Sequence, residues 1–244
     1  MKPFLLLASR AEEVAAVGER DAFLRFGGLE PHQLHRVRME AGPLPPIDLD
    51  DYSGVLVGGS PFNASTPDAE KSETQRRVEA ELEPLLDDVV GRDFPFLGAC
   101  YGVGTLGLHQ GAVIDEHYGE EVGPVTVEVT DDGRADPLLA GLPASFSAFV
   151  GHKEACRTLP DHAVLLASSA TCPVQMFRVG ENQYATQFHP ELDADGIAER
   201  IEVYKEYGYF PAETAAEVTA RVRAADVSVP SRIVAAFVRR YARD

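Results

Sequence analysis

Three short apolar runs, FLLLA (4–8), GVLVGG (54–59) and PFLGAC (95–100), constrain the fold of this chain more than any other feature. Each has the length of a strand and lacks the alternation of a half-exposed one, which suits strands covered on both faces. Segments with helical spacing separate them. Ser9 caps a predicted helix after the first run, and Val78, Leu82, Leu85, Leu86 and Val89 recur at helical spacing between Pro67 and Gly91, with Pro84 among them. Strands alternating with helices predict parallel pairing through helical crossovers. The expected fold class is α/β, a mixed, mostly parallel central sheet with helices on both faces.

From Gly111 to about Phe188 the pattern becomes β-rich: PVTVEVT, SFSAFV, AVLLASS and QYATQF, divided by Gly, Pro and Asp turns. These runs read as an extension of the same sheet. After Glu191 three helical stretches follow, DADGIAERIEVYKEY, PAETAAEVTARVRAAD and PSRIVAAFVRRYARD, the last two opened by proline. Without a repeat or a Gly/Ser linker, residues 1–244 read as a single domain with a helical C-terminal extension from about 194.

The 39 acidic residues outnumber the 22 basic ones, a net charge of −17 that repels nucleic acid and anionic membranes. The N-terminal apolar run breaks at Ser9 and Arg10, too soon for a secretory signal, and no later run is long enough to span a bilayer. A cytoplasmic protein is expected, acting on neither nucleic acid nor membrane. Cys100, Cys156 and Cys172 stand apart with no C-x-x-C pair, so reduced thiols and no metal site are expected.

Cys100 is set differently from the other two. An apolar strand runs into G-A-C-Y-G and then into a helix-like YGVGTLGLH, the sequence form of a nucleophile elbow. Gly98 and Gly102 remove the Cβ atoms that would clash in so sharp a bend, and the helix N-terminus beside the sulfur favours a thiolate. A structural cysteine among glycines is the competing reading. A base and its orienter stand in QFHPEL (187–192), where His189 and Glu191 flank Pro190 at the end of a strand. A turn there brings carboxylate to imidazole, and such a pair activates a thiol. The third element is GGSPFN (58–63), whose glycines let backbone N–H groups turn toward a neighbouring loop as an oxyanion hole requires. Gly59 and Tyr101, the residue after Cys100, are the candidate donors.

Strand–GGSP, strand–GACYG–helix and strand–QFHPE, in that order, resemble the class I glutamine amidotransferases over roughly residues 4–192, a flavodoxin-like fold. The GMP synthase type is the nearest likeness, through CYG and SAFVGHKEACRTLP. The resemblance implies a cofactor-free glutaminase in which Cys100 attacks the side-chain amide of glutamine. His189 protonates the departing ammonia, Glu191 orients His189, and Gly59 and Tyr101 hold the oxyanion. It also implies a substrate pocket involving Gly58, Gly104 and the loop Gly151, His152, Lys153 and Glu154.

Two positions depart from the family pattern. Glutamine is usual four residues after the nucleophile, where this chain has Gly104, and the oxyanion loop reads GGSP instead of GGP. Gly104 is expected to leave room in the pocket, weakening the hold on glutamine and admitting a larger γ-glutamyl compound. The sequence shows no GxxxxGK[ST] loop, so productive use of ammonia calls for a separate acceptor or synthetase subunit. The alternatives are a stand-alone γ-glutamyl peptide or polyamine hydrolase, and a non-catalytic ligand-binding or regulatory subunit.

Overall fold

The computed structural model describes residues 1–207 and 210–244. In chain order its elements are β1 (Phe4–Ala8), α1 (Glu13–Gly27), β2 (Leu34–Arg38), β3 (Gly54–Val57), α2 (Glu73–Gly91), β4 (Phe96–Ala99), α3 (Tyr101–His109), β5 (Val113–Asp115), β6 (Glu120–Val129), α4 (Asp131–Ala135), β7 (Ser145–His152), β8 (Ala155–Thr158), β9 (Val164–Ser169), β10 (Met176–Val179), β11 (Gln183–Thr186), α5 (Ala194–Tyr204), α6 (Ala215–Ala224) and α7 (Ser231–Tyr241).

Nine strands form one sheet in the order β2-β1-β3-β4-β11-β10-β9-β6-β7. From β2 through β11 neighbours pair in parallel, and from β10 outward they are antiparallel. The three apolar runs thus form the β1, β3 and β4 strands at the parallel end. Helices cover both faces. Alternation along β1 sends Leu5 and Leu7 to the face packed by Val78, Leu82 and Leu86 of α2 and Val103 and Leu106 of α3. Phe4 and Leu6 point the other way, to Phe23 of α1 and Ile233, Val234 and Phe237 of α7. A third cluster joins Val122 and Phe149 to Ile197 and Ile201 of α5 and Val218 and Val222 of α6. No helix among the described residues is long and apolar enough to cross a membrane.

Local details differ from the sequence expectations. Ser9 caps no helix: α1 begins four residues later, with Glu12 at the N-cap and no side-chain cap, while Ser9 and Arg10 are buried. The α2 helix continues through Pro84, starting from a Ser72 whose hydroxyl accepts from Gln75 N–H at 3.1 Å. β5 and β8 pair in a separate two-stranded sheet outside the main one. Gly58 and Gly59 fall after β3, at the same sheet edge as the C-terminal ends of β4 and β11. In an open parallel sheet that edge is where ligands bind.

Candidate active site

At the end of β4 the chain bends at Cys100, whose backbone lies at φ 55°, ψ −84° immediately before α3. Its N–H is fixed to Thr186 O of β11 at 2.7 Å. The bend brings Gly98 against Gly102 so closely that a Cβ on Gly98 would lie 2.6 Å from the Gly102 Cα. Glycine is therefore required there, and the thiol is left half-buried at the sheet edge. As the first residue of α3, Tyr101 has an N–H with no partner inside the helix. A Cβ on Gly59 would sit 2.7 Å from His189 Cε1 and 2.6 Å from Arg10 Nη2, so glycine lets the loop after β3 close on the imidazole.

After β11 the chain turns at Pro190, and the expected contact is present: His189 Nδ1 and Glu191 Oε1 are 2.8 Å apart, both side chains buried. A neutral imidazole with its proton on Nδ1 would donate to Glu191 and leave Nε2 able to accept a proton. His189 and Cys100 line one cavity, together with Ser60, Gly151 and Leu192.

Spacing along the chain did not reveal the charged groups beneath this pair. Arg200 on α5 lies 3.1 Å from Glu191 and 3.3 Å from Glu19 on α1, and Arg10 Nε donates to Glu19 at 3.1 Å. All four side chains are buried. The partners stand up to 181 residues apart in sequence, so no local pattern exposes them. The available hints are an arginine directly after a buried strand and another inside the apolar stripe of α5.

Burial pushes the Cys100 thiol up to about 12, outweighing the pull of Arg10 and Arg200 toward the thiolate. Burial also lowers the His189 pKa, with Arg200 and Arg10 acting in the same direction and Glu191 opposing them. Burial thus favours a neutral thiol and a neutral imidazole over the thiolate expected from the helix terminus. Burial opposes the Glu191 anion, but His189 and Arg200 hold its pKa down at about 2.

Glu191→Gln is therefore expected to act in two ways. Activity should fall roughly 10²- to 10³-fold, less than on loss of His189, because the imidazole loses its orienting acceptor. The protonated imidazole cannot serve as a base, and removing Glu191 lowers the His189 pKa further. The acid limb of the kcat/KM profile should accordingly move to lower pH, and an unmoved limb would show that the two groups are not coupled. With one carboxylate fewer beside Arg200, the melting temperature should also drop.

The expected pocket residues separate. Gly151 and Lys153 line a recess beside Cys100, with Phe62, Asn63, Glu154 and Gln187. His152 borders it too, but its ring is engaged on both sides, by Glu120 Oε2 at 2.8 Å and Glu154 O at 2.9 Å. Gly58 faces the ion cluster instead, since a Cβ there would lie 2.3 Å from Glu19 Oε2. Gly104 leaves no vacancy: its Cβ would be 2.8 Å from Ala64 Cβ and 2.9 Å from Glu154 Oε1. The Glu154 carboxylate occupies that space and accepts from the Ala64 and Ser65 N–H groups at 2.8 and 2.7 Å, tying the β7–β8 turn to the loop after β3.

Gly104→Gln should therefore overpack the site instead of improving glutamine binding, with a loss of about 1–3 kcal/mol. Thermal melts should show the loss, and KM for glutamine should not fall. A lower KM at unchanged melting temperature would mean that Glu154 readily gives way.

Three comparisons with known proteins bear on this geometry. A family model described as "Glutamine amidotransferase class-I" matches residues 31–198. The chain is 32% identical over 183 residues to a subunit of the glutamine-hydrolyzing GMP synthase of Thermoplasma acidophilum, covering 68% of this chain and 81% of that one. It is 28% identical over 190 residues to gamma-glutamyl peptidase 3 of Arabidopsis thaliana, covering 76% and 73%. In fold it is similar to the crystal structure of a glutamine amidotransferase from Thermotoga maritima, with a TM-score of 0.75 and 22% identity, covering 99% of this chain and 98% of that one.

Proposed function

The chain belongs to the class I glutamine amidotransferase family, and from that premise we propose that it hydrolyses a γ-glutamyl amide in the cytoplasm through Cys100, His189 and Glu191. One observation carries the reading: His189, held by the buried Glu191, lines the same cavity as a cysteine set at a strand-to-helix elbow. Glutamine is the simplest such amide.

As the substrate carbonyl approaches, His189 Nε2 takes the thiol proton and Cys100 Sγ attacks the γ-amide carbon. Burial favours the neutral thiol, which suits proton transfer coupled to the attack in one step. The N–H groups of Tyr101 and Gly59 receive the oxyanion. His189 then passes the proton to the departing nitrogen, the C–N bond breaks, and a γ-glutamyl thioester remains. Water, activated by the same imidazole, releases glutamate and restores the thiol. Glu191 keeps the proton-bearing Nδ1 fixed throughout, and Arg200 holds Glu191 ionised.

The test is direct. Pure protein mixed with glutamine and a panel of γ-glutamyl amides should release glutamate, and an acid quench should trap one glutamyl group on the peptide carrying Cys100. Glutamate release with the label on another residue, or no release from any amide, would overturn the assignment. The relatives named as single subunits of GMP synthase support a second use of the site, in which ammonia passes to a separate synthetase partner. That use requires glutamine to be the preferred amide.

A further inference from the structure

Glu19 reaches two parts of the site without entering it. It stands on the inner face of α1 at 1% exposure, and it lines neither the cavity of Cys100 and His189 nor the recess beside them. Its Oε1 accepts from Arg10 Nε at 3.1 Å and from Arg200 Nη2 at 3.3 Å. Its Oε2 has no hydrogen-bond partner among the described residues and lies against Gly58.

The two arginines lead to different places. Arg10 Nη2 approaches Gly59, 2.6 Å from where a Cβ would stand, and its guanidinium lies 5.4 Å from the centroid of the Tyr204 ring. Arg200 Nη2 is 3.1 Å from Glu191 Oε1, and its Nη1 is 3.1 Å from His189 Nδ1. One carboxylate oxygen thus meets both the cation beside the glycine loop and the cation beside the imidazole. The charges balance when all four groups are counted, Arg10 and Arg200 against Glu19 and Glu191. Without Glu19, Arg10 would lose the carboxylate that holds its Nε, and Glu191 would be the only anion left in the cluster. A charge uncompensated at this depth is costly, and its field acts on its neighbours with little screening.

We propose that Glu19 is a positioning residue for the hydrolase: by balancing both arginines with one oxygen, it holds Arg10 at the glycine loop and Arg200 at the His189–Glu191 pair. The assignment rests on the hydrolase reading above. It carries a sign. Burial lowers the His189 pKa, Glu191 raises it, and Arg200 and Arg10 lower it further. Burial raises the pKa of Glu19 itself, Arg10 and Arg200 oppose that rise, and Glu191 adds to it. Removing the Glu19 anion leaves the arginines less compensated, disfavours the imidazolium and lowers the His189 pKa. The groove between α1 and α5 that Glu19 borders also carries Asp21, Arg25, Asp193, Asp195 and Glu199, which are unchanged in every variant below.

The deciding experiment follows the His189 ring signal by NMR against pH in the full chain, beside kcat and KM for glutamine or another cleaved γ-glutamyl amide. In Glu19→Gln the ring midpoint and the acid limb of kcat/KM should both move down by about 1 pH unit. The kcat should fall about tenfold while KM stays within about twofold, because Glu19 borders neither space at Cys100. Arg10→Gln removes a cation instead and should move the midpoint up. Glu19→Gln combined with Arg10→Gln restores the charge balance, so its midpoint should return toward wild type and it should melt above Glu19→Gln, a comparison that stands even where the single variant folds poorly. A folded Glu19→Gln protein whose midpoint stays or rises, or whose kcat is unchanged, overturns the proposal, since a merely structural carboxylate would lower stability without moving the titration. A double variant no more stable than Glu19→Gln overturns it as well. Wild-type protein that cleaves no γ-glutamyl amide overturns the hydrolase reading and this assignment with it, whereas an unmoved midpoint beside an active wild type overturns this assignment alone.

Discussion

Cys100→Ser is expected to lower glutamate release by about 10⁴-fold or more, equivalent to over about 5 kcal/mol of barrier, with little change in melting temperature. The serine hydroxyl is a far weaker nucleophile, and the burial that pushes the thiol up to about 12 would hold an alkoxide still further out of reach. The fold has little reason to respond. The oxygen replaces the sulfur at the same elbow, the N–H bond to Thr186 O is kept, and no side-chain cap is lost. Glutamate release from the variant beside circular dichroism melts separates chemistry from folding. If the serine protein stayed within about tenfold of wild type, the nucleophile would have to lie elsewhere. The remaining thiols are poor substitutes, because Cys156 and Cys172 are both 0% exposed within the core.

His189→Ala should be nearly as severe, about 10³- to 10⁴-fold in kcat, because under the proposed mechanism it removes both the base that takes the thiol proton and the acid that delivers it to the amine. A neutral resting thiol makes the dependence stronger than in an enzyme that already holds a thiolate. The substitution leaves an imidazole-sized gap on the cavity wall, bounded by Glu191, Arg200 and Gly59. Added imidazole should therefore restore part of the rate, with saturation at millimolar concentration as the sign of binding in that gap. Full activity without His189, or loss of the folded state at room temperature, would each contradict the assigned role.

Much of the parallel half of the sheet was legible because its strands are buried on both faces. FLLLA, GVLVGG and PFLGAC have no polar side to obscure the pattern, and the bends after them carry the glycines that tight backbone approaches require. LHRVR of β2 carries no such pattern, since it lies at the sheet edge with only Leu34 and Val37 buried. The turn at Pro190 was readable because His189 and Glu191 are near neighbours in sequence. The support beneath them was not: Arg10, Glu19 and Arg200 meet only after β1, α1 and α5 have packed at one edge. Gly104 shows the opposite limit. From the sequence its missing side chain looks like empty space, whereas the fold brings Glu154 from far downstream to fill it.

The backbone at Cys100, together with the nucleophile's role proposed for it, places heat resistance and chemistry in opposition at one residue. A φ of 55° is freely available to glycine but costs a side chain of this kind about 1–3 kcal/mol, which the surrounding sheet and helix must absorb. A descendant that no longer needed the reaction would gain stability from glycine at this site, and that margin would let it tolerate otherwise damaging changes elsewhere in the chain. Melting Cys100→Gly beside Cys100→Ser measures the margin, since only the glycine releases the backbone. The glycine protein should melt higher than the serine one, inert but harder to unfold.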